Sequence, residues 1–191
     1  MVDEILLIHG FPDDVRMWDK TVPALADQGY RCIAVTVPNY GKEHHGGHWG
    51  YSFDQLNEMF CKVIQEHSKK KKVTLLQHDW GSKNGFHLAM SHPDLITRIA
   101  ALDVAAEMPS GAGFKIFAWS YQFFNCMLFL MGEPLGTSML RSMVKGEVTH
   151  RPMEEVRAST AYQYYYQYFG KPQLKFVLSP QTCPVFYGYG T

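Results

Sequence analysis

Val73-Thr74-Leu75-Leu76-Gln77-His78-Asp79-Trp80-Gly81-Ser82 is an apolar run that ends in an acidic side chain, with a glycine two positions further on. The run Val73 to Leu76 is short and unbroken, as in a strand buried on both faces, and the stretch from Trp80 to about His92 reads as a helix. A sharp strand-turn-helix junction of this kind lifts its middle side chain into a cleft and aims the N-terminus of the helix at it. Asp79 is that side chain, and a carboxylate so placed can attack carbon directly to give an ester, with no base needed to activate it. Aspartate is also a good helix N-cap, and this stretch alone leaves both readings open.

Working outward, further short apolar runs end in turns. Ile5-Leu6-Leu7-Ile8 leads into His9-Gly10-Phe11-Pro12, and Cys32 to Val37 is closed by Pro38-Asn39-Tyr40-Gly41; Ile96 to Val104 and Pro184 to Tyr189 are two more. Between the first two, Trp18, Val22, Leu25 and Ala26 recur at helical spacing, with Gly29 where a helix C-terminal glycine belongs. Ser52 and Gln55 form a capping box ahead of Phe53, Leu56, Met59, Phe60, Val63 and Ile64 on one helical face. Lys42 to Tyr51 reads as a loop and Lys69 to Lys72 as a solvated one. Strands and helices alternating through short links predict an α/β fold with a mostly parallel sheet flanked by helices. In such a sheet, ligands bind outside the carboxyl ends of the strands, where these motifs lie.

From Pro109 to about Tyr168 the pattern changes to aromatic- and Met-rich helices, broken at Gly132-Glu133-Pro134 and Gly146, as in an inserted helical cap. The expected division is a core of residues 1–108 and 171–191 and a cap of residues 109–170. The run Phe114 to Met131 is long enough to span a bilayer. Lys115, Ser120, Gln122 and Asn125 within it argue for a buried cap helix, with membrane attachment through 114–131 as the alternative.

Two motifs on neighbouring strands, His9-Gly10-Phe11-Pro12 and His78-Asp79-Trp80-Gly81, resemble those of the α/β-hydrolase superfamily, in the branch of epoxide hydrolases and haloalkane dehalogenases where aspartate replaces serine. The resemblance implies Asp79 as nucleophile and the backbone N–H groups of Phe11 and Trp80 as oxyanion hole, with both side chains against the substrate. It implies Asp103 as the acid that orients a histidine, and two cap tyrosines that protonate an opening epoxide: Tyr121 for the first, and Tyr165, not separable from Tyr166, for the second. Trp119 would serve as a halide donor in the dehalogenase alternative. The implied water-activating histidine has no match among the nine histidines. His9 and His78 flank the motif loops, while His44, His45 and His48 cluster without a zinc-site spacing. The family's sheet extends further on both sides, so the resemblance implies a core trimmed at both ends, without its final strand and histidine loop. Gln77 occupies a position where a small residue is usual.

The 191 residues carry 18 Lys+Arg against 18 Asp+Glu and are 46% apolar, a folded, uncharged profile that gives nucleic acid no electrostatic hold. Cys32, Cys61, Cys126 and Cys183 lie far apart, without a zinc or redox pair. Asp3 and Glu4 stand where a signal peptide would carry positive charge, so a cytoplasmic protein is expected, with membrane association as the alternative. A small apolar substrate is expected, with no cofactor and no metal; oligomeric state is not specified. The reading is an epoxide-hydrolase-like enzyme, with a dehalogenase, a non-catalytic binding protein and a membrane-attached protein as alternatives.

Overall fold

β1 (Glu4–Ile8), β2 (Arg31–Val35), β3 (Val73–His78), β4 (Ile96–Leu102) and β5 (Val185–Gly188) form one sheet in the order β2-β1-β3-β4-β5. Every neighbouring pair is parallel, with Ile8 opposite both Val35 and Gln77, and Leu102 opposite both His78 and Gly188. The computed structural model describes residues 2–42, 47–103, 111–144, 149–170 and 183–189. Among these, the chain steps from β1 outward to β2 and then back across to β3 on the other side of β1. That reversal opens a crevice between the carboxyl ends of β1 and β3, where an α/β sheet binds its ligand.

β1 is the sheet's buried axis, with Leu6, Leu7 and Ile8 all 0% exposed. Its alternation sends Leu6 and Ile8 to the face covered by α2 (Phe53–His67) and α3 (Trp80–Ser91), and Ile5 and Leu7 to the face that Trp18 covers. The capping box forms at the start of α2, Gln55 N–H donating to Ser52 Oγ and Ser52 N–H to Gln55 Oε1. Trp18 lies outside the helix expected to hold it: Val15–Trp18 is a 3-10 turn capped by Asp14, and α1 (Thr21–Asp27) follows, ending near Gly29 at φ +84°. β3 runs two residues past its apolar stretch to His78. β2 and β4 stop short of the Val37 and Val104 expected of them, and Val104 lies outside the described residues.

The Lys69–Lys72 loop does more than meet solvent. The N–H groups of Lys69 and Lys70 donate to the Glu4 carboxylate, joined by Ser68 Oγ at 2.6 Å and Arg31 Nη1 at 2.6 Å.

α4 (Ala112–Met131), α5 (Leu135–Met143) and α6 (Tyr162–Phe169) form a helical layer that reaches the core through the buried Val156, Ala161, Tyr162 and Tyr164. α4 departs from the expected buried helix. Asn125, Cys126, Leu128 and Phe129 are buried, but Phe117 is 69% and Phe123 54% exposed. No helix among the described residues is long and apolar enough to cross a membrane. The expected domain boundaries at 108/109 and 170/171, together with Gly146, His44 and His45, fall at or within stretches outside the described residues.

Candidate active site

Asp79 sits at φ +50°, ψ −121°, a strained conformation for a residue with a side chain, directly between β3 and the first residue of α3. Its side chain makes no helix-capping bond. Instead, Phe11 N–H donates to Asp79 Oδ2 at 2.8 Å, and the Trp80 N–H, next along the chain, favours the ionised form of the same carboxylate. The loop after β1 passes so close that a Cβ on Gly10 would stand 2.6 Å from Asp79 Oδ2, and one on Gly81 would strike the carbonyls of Ile8 and His9. The elbow tolerates Gln77 because Gly85 faces it: the buried amide fills the space that a side chain at 85 would need. Gln77 thus takes the volume on which a small residue normally economises, with the turn intact.

The loop carrying Phe11 is fixed from two directions. His9, 1% exposed, accepts Val37 N–H on Nε2 at 2.8 Å and so donates from Nδ1 to Gly10 O at 2.9 Å. Burial lowers its pKa to about 4, so it is a neutral structural tie between the ends of β1 and β2. From the helical side, Arg151 donates to Pro12 O at 3.0 Å and to Glu155 O at 2.6 Å, while its Nε lies 3.8 Å from Asp14 Oδ2. Asp13 accepts His150 N–H at 2.9 Å and Thr149 Oγ1 at 3.2 Å, and Arg16 bridges Asp14 and Glu155.

The sequence-predicted aromatic residues separate here. Tyr121 is brought to the site, but its partner is Tyr164: the two hydroxyls are 3.4 Å apart, and the Tyr164 ring packs edge-on against Trp80 at 4.7 Å and Phe11 at 5.2 Å. Tyr165, the residue named from the sequence, lies one helical step further on and packs on Trp49 and Phe129. Tyr166 packs on Tyr162 and Tyr165. Trp119 is 61% exposed on α4, away from this cluster. His48 stacks on Phe129 at 4.4 Å, and no group of three metal-binding side chains occurs among the described residues.

Asp103, also at positive φ (+69°), closes β4, and its Oδ2 lies 2.9 Å from His78 Nε2 at the end of β3. Sequence reasoning named Asp103 but missed this partner, which the register of β3 and β4 brings beside it. It also missed Lys83, whose amine lies 4.7 Å from the Trp80 ring and 5.2 Å from that of Phe53 and donates to Gln167 Oε1. Burial lowers that amine to about 7.

Burial raises the Asp79 carboxyl above the ordinary aspartate value. The Trp80 and Phe11 N–H groups and His78 oppose that rise, and the Asp103 charge adds to it. Burial holds the Tyr121 and Tyr164 hydroxyls up, and the Asp79 charge pushes both further. A carboxylate held on Oδ2 by the Phe11 N–H, with the paired Tyr121 and Tyr164 hydroxyls in the aromatic cluster over Phe11 and Trp80, has the parts of a nucleophile beside two acids.

A family model described as alpha/beta hydrolase fold matches residues 4–175. A fluoroacetate dehalogenase of Burkholderia sp is 29% identical over 104 residues, 52% of this chain and 34% of that protein. Epoxide hydrolase A of Mycobacterium tuberculosis is 27% identical over 156 residues, 74% of this chain and 47% of that protein. The chain therefore matches less than half the length of either. The crystal structure of an epoxide hydrolase from Vigna radiata superposes with a TM-score of 0.71 at 19% identity, covering 100% of this chain and 73% of that one.

Proposed function

Because the chain belongs to the α/β-hydrolase family, we propose that it is a hydrolase of the epoxide-opening kind, with Asp79 as its nucleophile. The observation that carries this is the 2.8 Å bond from Phe11 N–H to Asp79 Oδ2, made across 68 positions of the chain. With Oδ2 held, Oδ1 is the oxygen free to attack an epoxide carbon. As the new C–O bond forms the ring C–O bond breaks, and the epoxide oxygen takes a proton from Tyr121 or Tyr164. The product is a hydroxyalkyl ester on Asp79. Water then adds to the ester carbonyl, the Phe11 and Trp80 N–H groups hold the resulting oxyanion, and a diol leaves. Phe11, Trp80 and Tyr164 give the pocket apolar walls, which suits a small apolar substrate, and α4 to α6 are its cap.

Dehalogenation through the same ester is the second reading, favoured by Trp80. Its indole packs edge-on against the Tyr164 ring at 4.7 Å, which brings an N–H donor to the aromatic cluster where a departing halide would need one. Incubation with styrene oxide and, separately, with bromobutane tests both. The expected result is diol from styrene oxide, lost in Asp79→Asn. Bromide release without diol replaces the first reading by the second, and neither product from folded protein overturns both.

A further inference from the structure

Tyr121 and Tyr164 stand on α4 and α6, whereas Asp79 stands at the end of a strand, so the helices have to be held to the core and to each other. We propose that Lys83 is a positioning residue, which acts through Gln167 to keep α4 and α6 in the relation that lets both hydroxyls serve the opening epoxide. The inference rests on the reading of Asp79 as nucleophile and adds the side chain that ties the two acids to the core.

A chain of polar bonds carries it. Lys83 projects from the first turn of α3, the helix that begins at Trp80, and its amine donates to Gln167 Oε1 on α6. Gln167 Nε2 donates in turn to Gln122 Oε1 on α4 at 2.6 Å, and the Tyr168 hydroxyl donates to the same oxygen at 3.3 Å. Gln122 directly follows Tyr121, and Gln167 comes one helical turn after Tyr164, on the same side of α6. The chain therefore reaches each helix within a turn of its hydroxyl.

The lysine gives this chain its direction. An ammonium group has three donors and no acceptor, so it takes the oxygen of the Gln167 amide and leaves the nitrogen for Gln122. Reversed, the amide would set oxygen against oxygen at Gln122. The amine is itself fixed, 4.7 Å from the Trp80 ring and 5.2 Å from that of Phe53 on α2, two π faces that hold a cation. One turn earlier on α6, the buried Gln163 donates to Asn84 Oδ1 at 3.0 Å and accepts the Tyr40 hydroxyl at 3.1 Å. Lys83 and Asn84, consecutive on α3, thus receive Gln167 and Gln163, one turn apart on α6. The Gln163 bonds dock α6 on the core, and the Lys83 chain runs on to α4.

Intact-mass measurement of adduct formation over a range of styrene oxide concentrations tests the assignment. It is made at pH 6, where the Lys83 amine, held at about 7 by burial, is charged. Lys83→Met keeps an unbranched stem beside Phe53 and Trp80 and removes the donor. It is expected to lower the maximal rate of mass gain about tenfold, with the half-saturating concentration within about twofold of the wild type. Gln167→Leu is expected to do the same and tests the chain should Lys83→Met fail to fold. The double variant is expected to fall no further than either single one, since Lys83 acts through Gln167. Circular dichroism and urea unfolding establish which variants are folded. A wild-type maximal rate in folded Lys83→Met overturns the assignment. So does a double variant whose loss is the product of the two single losses, or a change confined to the half-saturating concentration. A wild type that gains no adduct at all overturns the Asp79 reading itself, and the role of Lys83 with it.

Discussion

The hydroxyls of Tyr121 on α4 and Tyr164 on α6 stand 3.4 Å apart, close enough for both to address one substrate oxygen. Two donors on different helices can stabilise a developing alkoxide only while those helices keep their relative position. The Tyr164 ring supplies that constraint by packing edge-on against both Trp80 and Phe11.

Removing either hydroxyl should therefore slow ring opening. Tyr121→Phe and Tyr164→Phe are each expected to reduce the rate of styrene oxide opening by about a hundredfold, measured as the rate of mass gain on the chain. Tyr165→Phe, one helical step away among Trp49 and Phe129, should leave that rate unchanged. A loss confined to Tyr165→Phe would reverse the assignment.

The proposed alkylation needs Asp79 ionised. Burial, with the Asp103 charge added, lifts its carboxyl above the ordinary value of 3.8, so the rate of adduct formation should fall with decreasing pH along a limb displaced upward from that value. Asp103→Asn removes a like charge and should move the limb back toward lower pH. A limb that shifts upward in Asp103→Asn would show that the two carboxylates are not coupled in this sense.

Glu4 ties the start of β1 to the loop before β3. Burial opposes its ionised form, but hydrogen bonds from Ser68, the Lys70 and Lys69 N–H groups and Arg31 outweigh that cost and bring its pKa from 4.5 down to about 2. A folded pKa below the unfolded one means that the contribution is present above about pH 4.5 and is lost as pH falls toward 2. With solvent screening allowed for, it amounts to about 1–2 kcal/mol. Glu4→Gln should lower stability by that amount at pH 7 and flatten the acid limb between those values in urea unfolding; equal losses at pH 7 and pH 3 would contradict the account.

Arg151 is 4% exposed and joins the helical side to the loop behind Phe11. Arg151→Ala leaves the buried carbonyls of Pro12 and Glu155 without their donor and weakens the positive field on Asp14, which keeps Arg16, and should cost about 3 kcal/mol in urea unfolding. Arg151→Lys keeps the charge without the fork that spans Pro12 O and Glu155 O, so it should recover only part of that loss. Full recovery by lysine would show that charge alone suffices.

The sheet was legible because a strand buried on both faces writes itself as an unbroken apolar run, and each of the five runs became a strand of one parallel sheet. Asp79, Phe11 and Trp80 were legible for a related reason: the turns after β1 and β3 are short, so chain position nearly dictates spatial position. The helical layer was harder. The 3-10 turn Ala158–Ala161 precedes α6 and sets its phase, and no capping residue marks the junction, so the run Tyr162 to Tyr168 gave no sign that Tyr164 faces the site. The apolar content of α4 suggested burial, but only its last turns are covered. The pairs His78 with Asp103 and Arg151 with Pro12 depend on side-chain reach between distant segments, which periodicity does not encode.

The most direct test of Asp79 as nucleophile is to locate the adduct. The chain is treated with styrene oxide, quenched in acid before the ester clears, digested, and sequenced by tandem mass spectrometry. The account predicts the added mass on Asp79, in the peptide that contains His78-Asp79-Trp80, and none in Asp79→Asn. Modification at Lys83, at a cysteine or at a histidine with Asp79 untouched would contradict it.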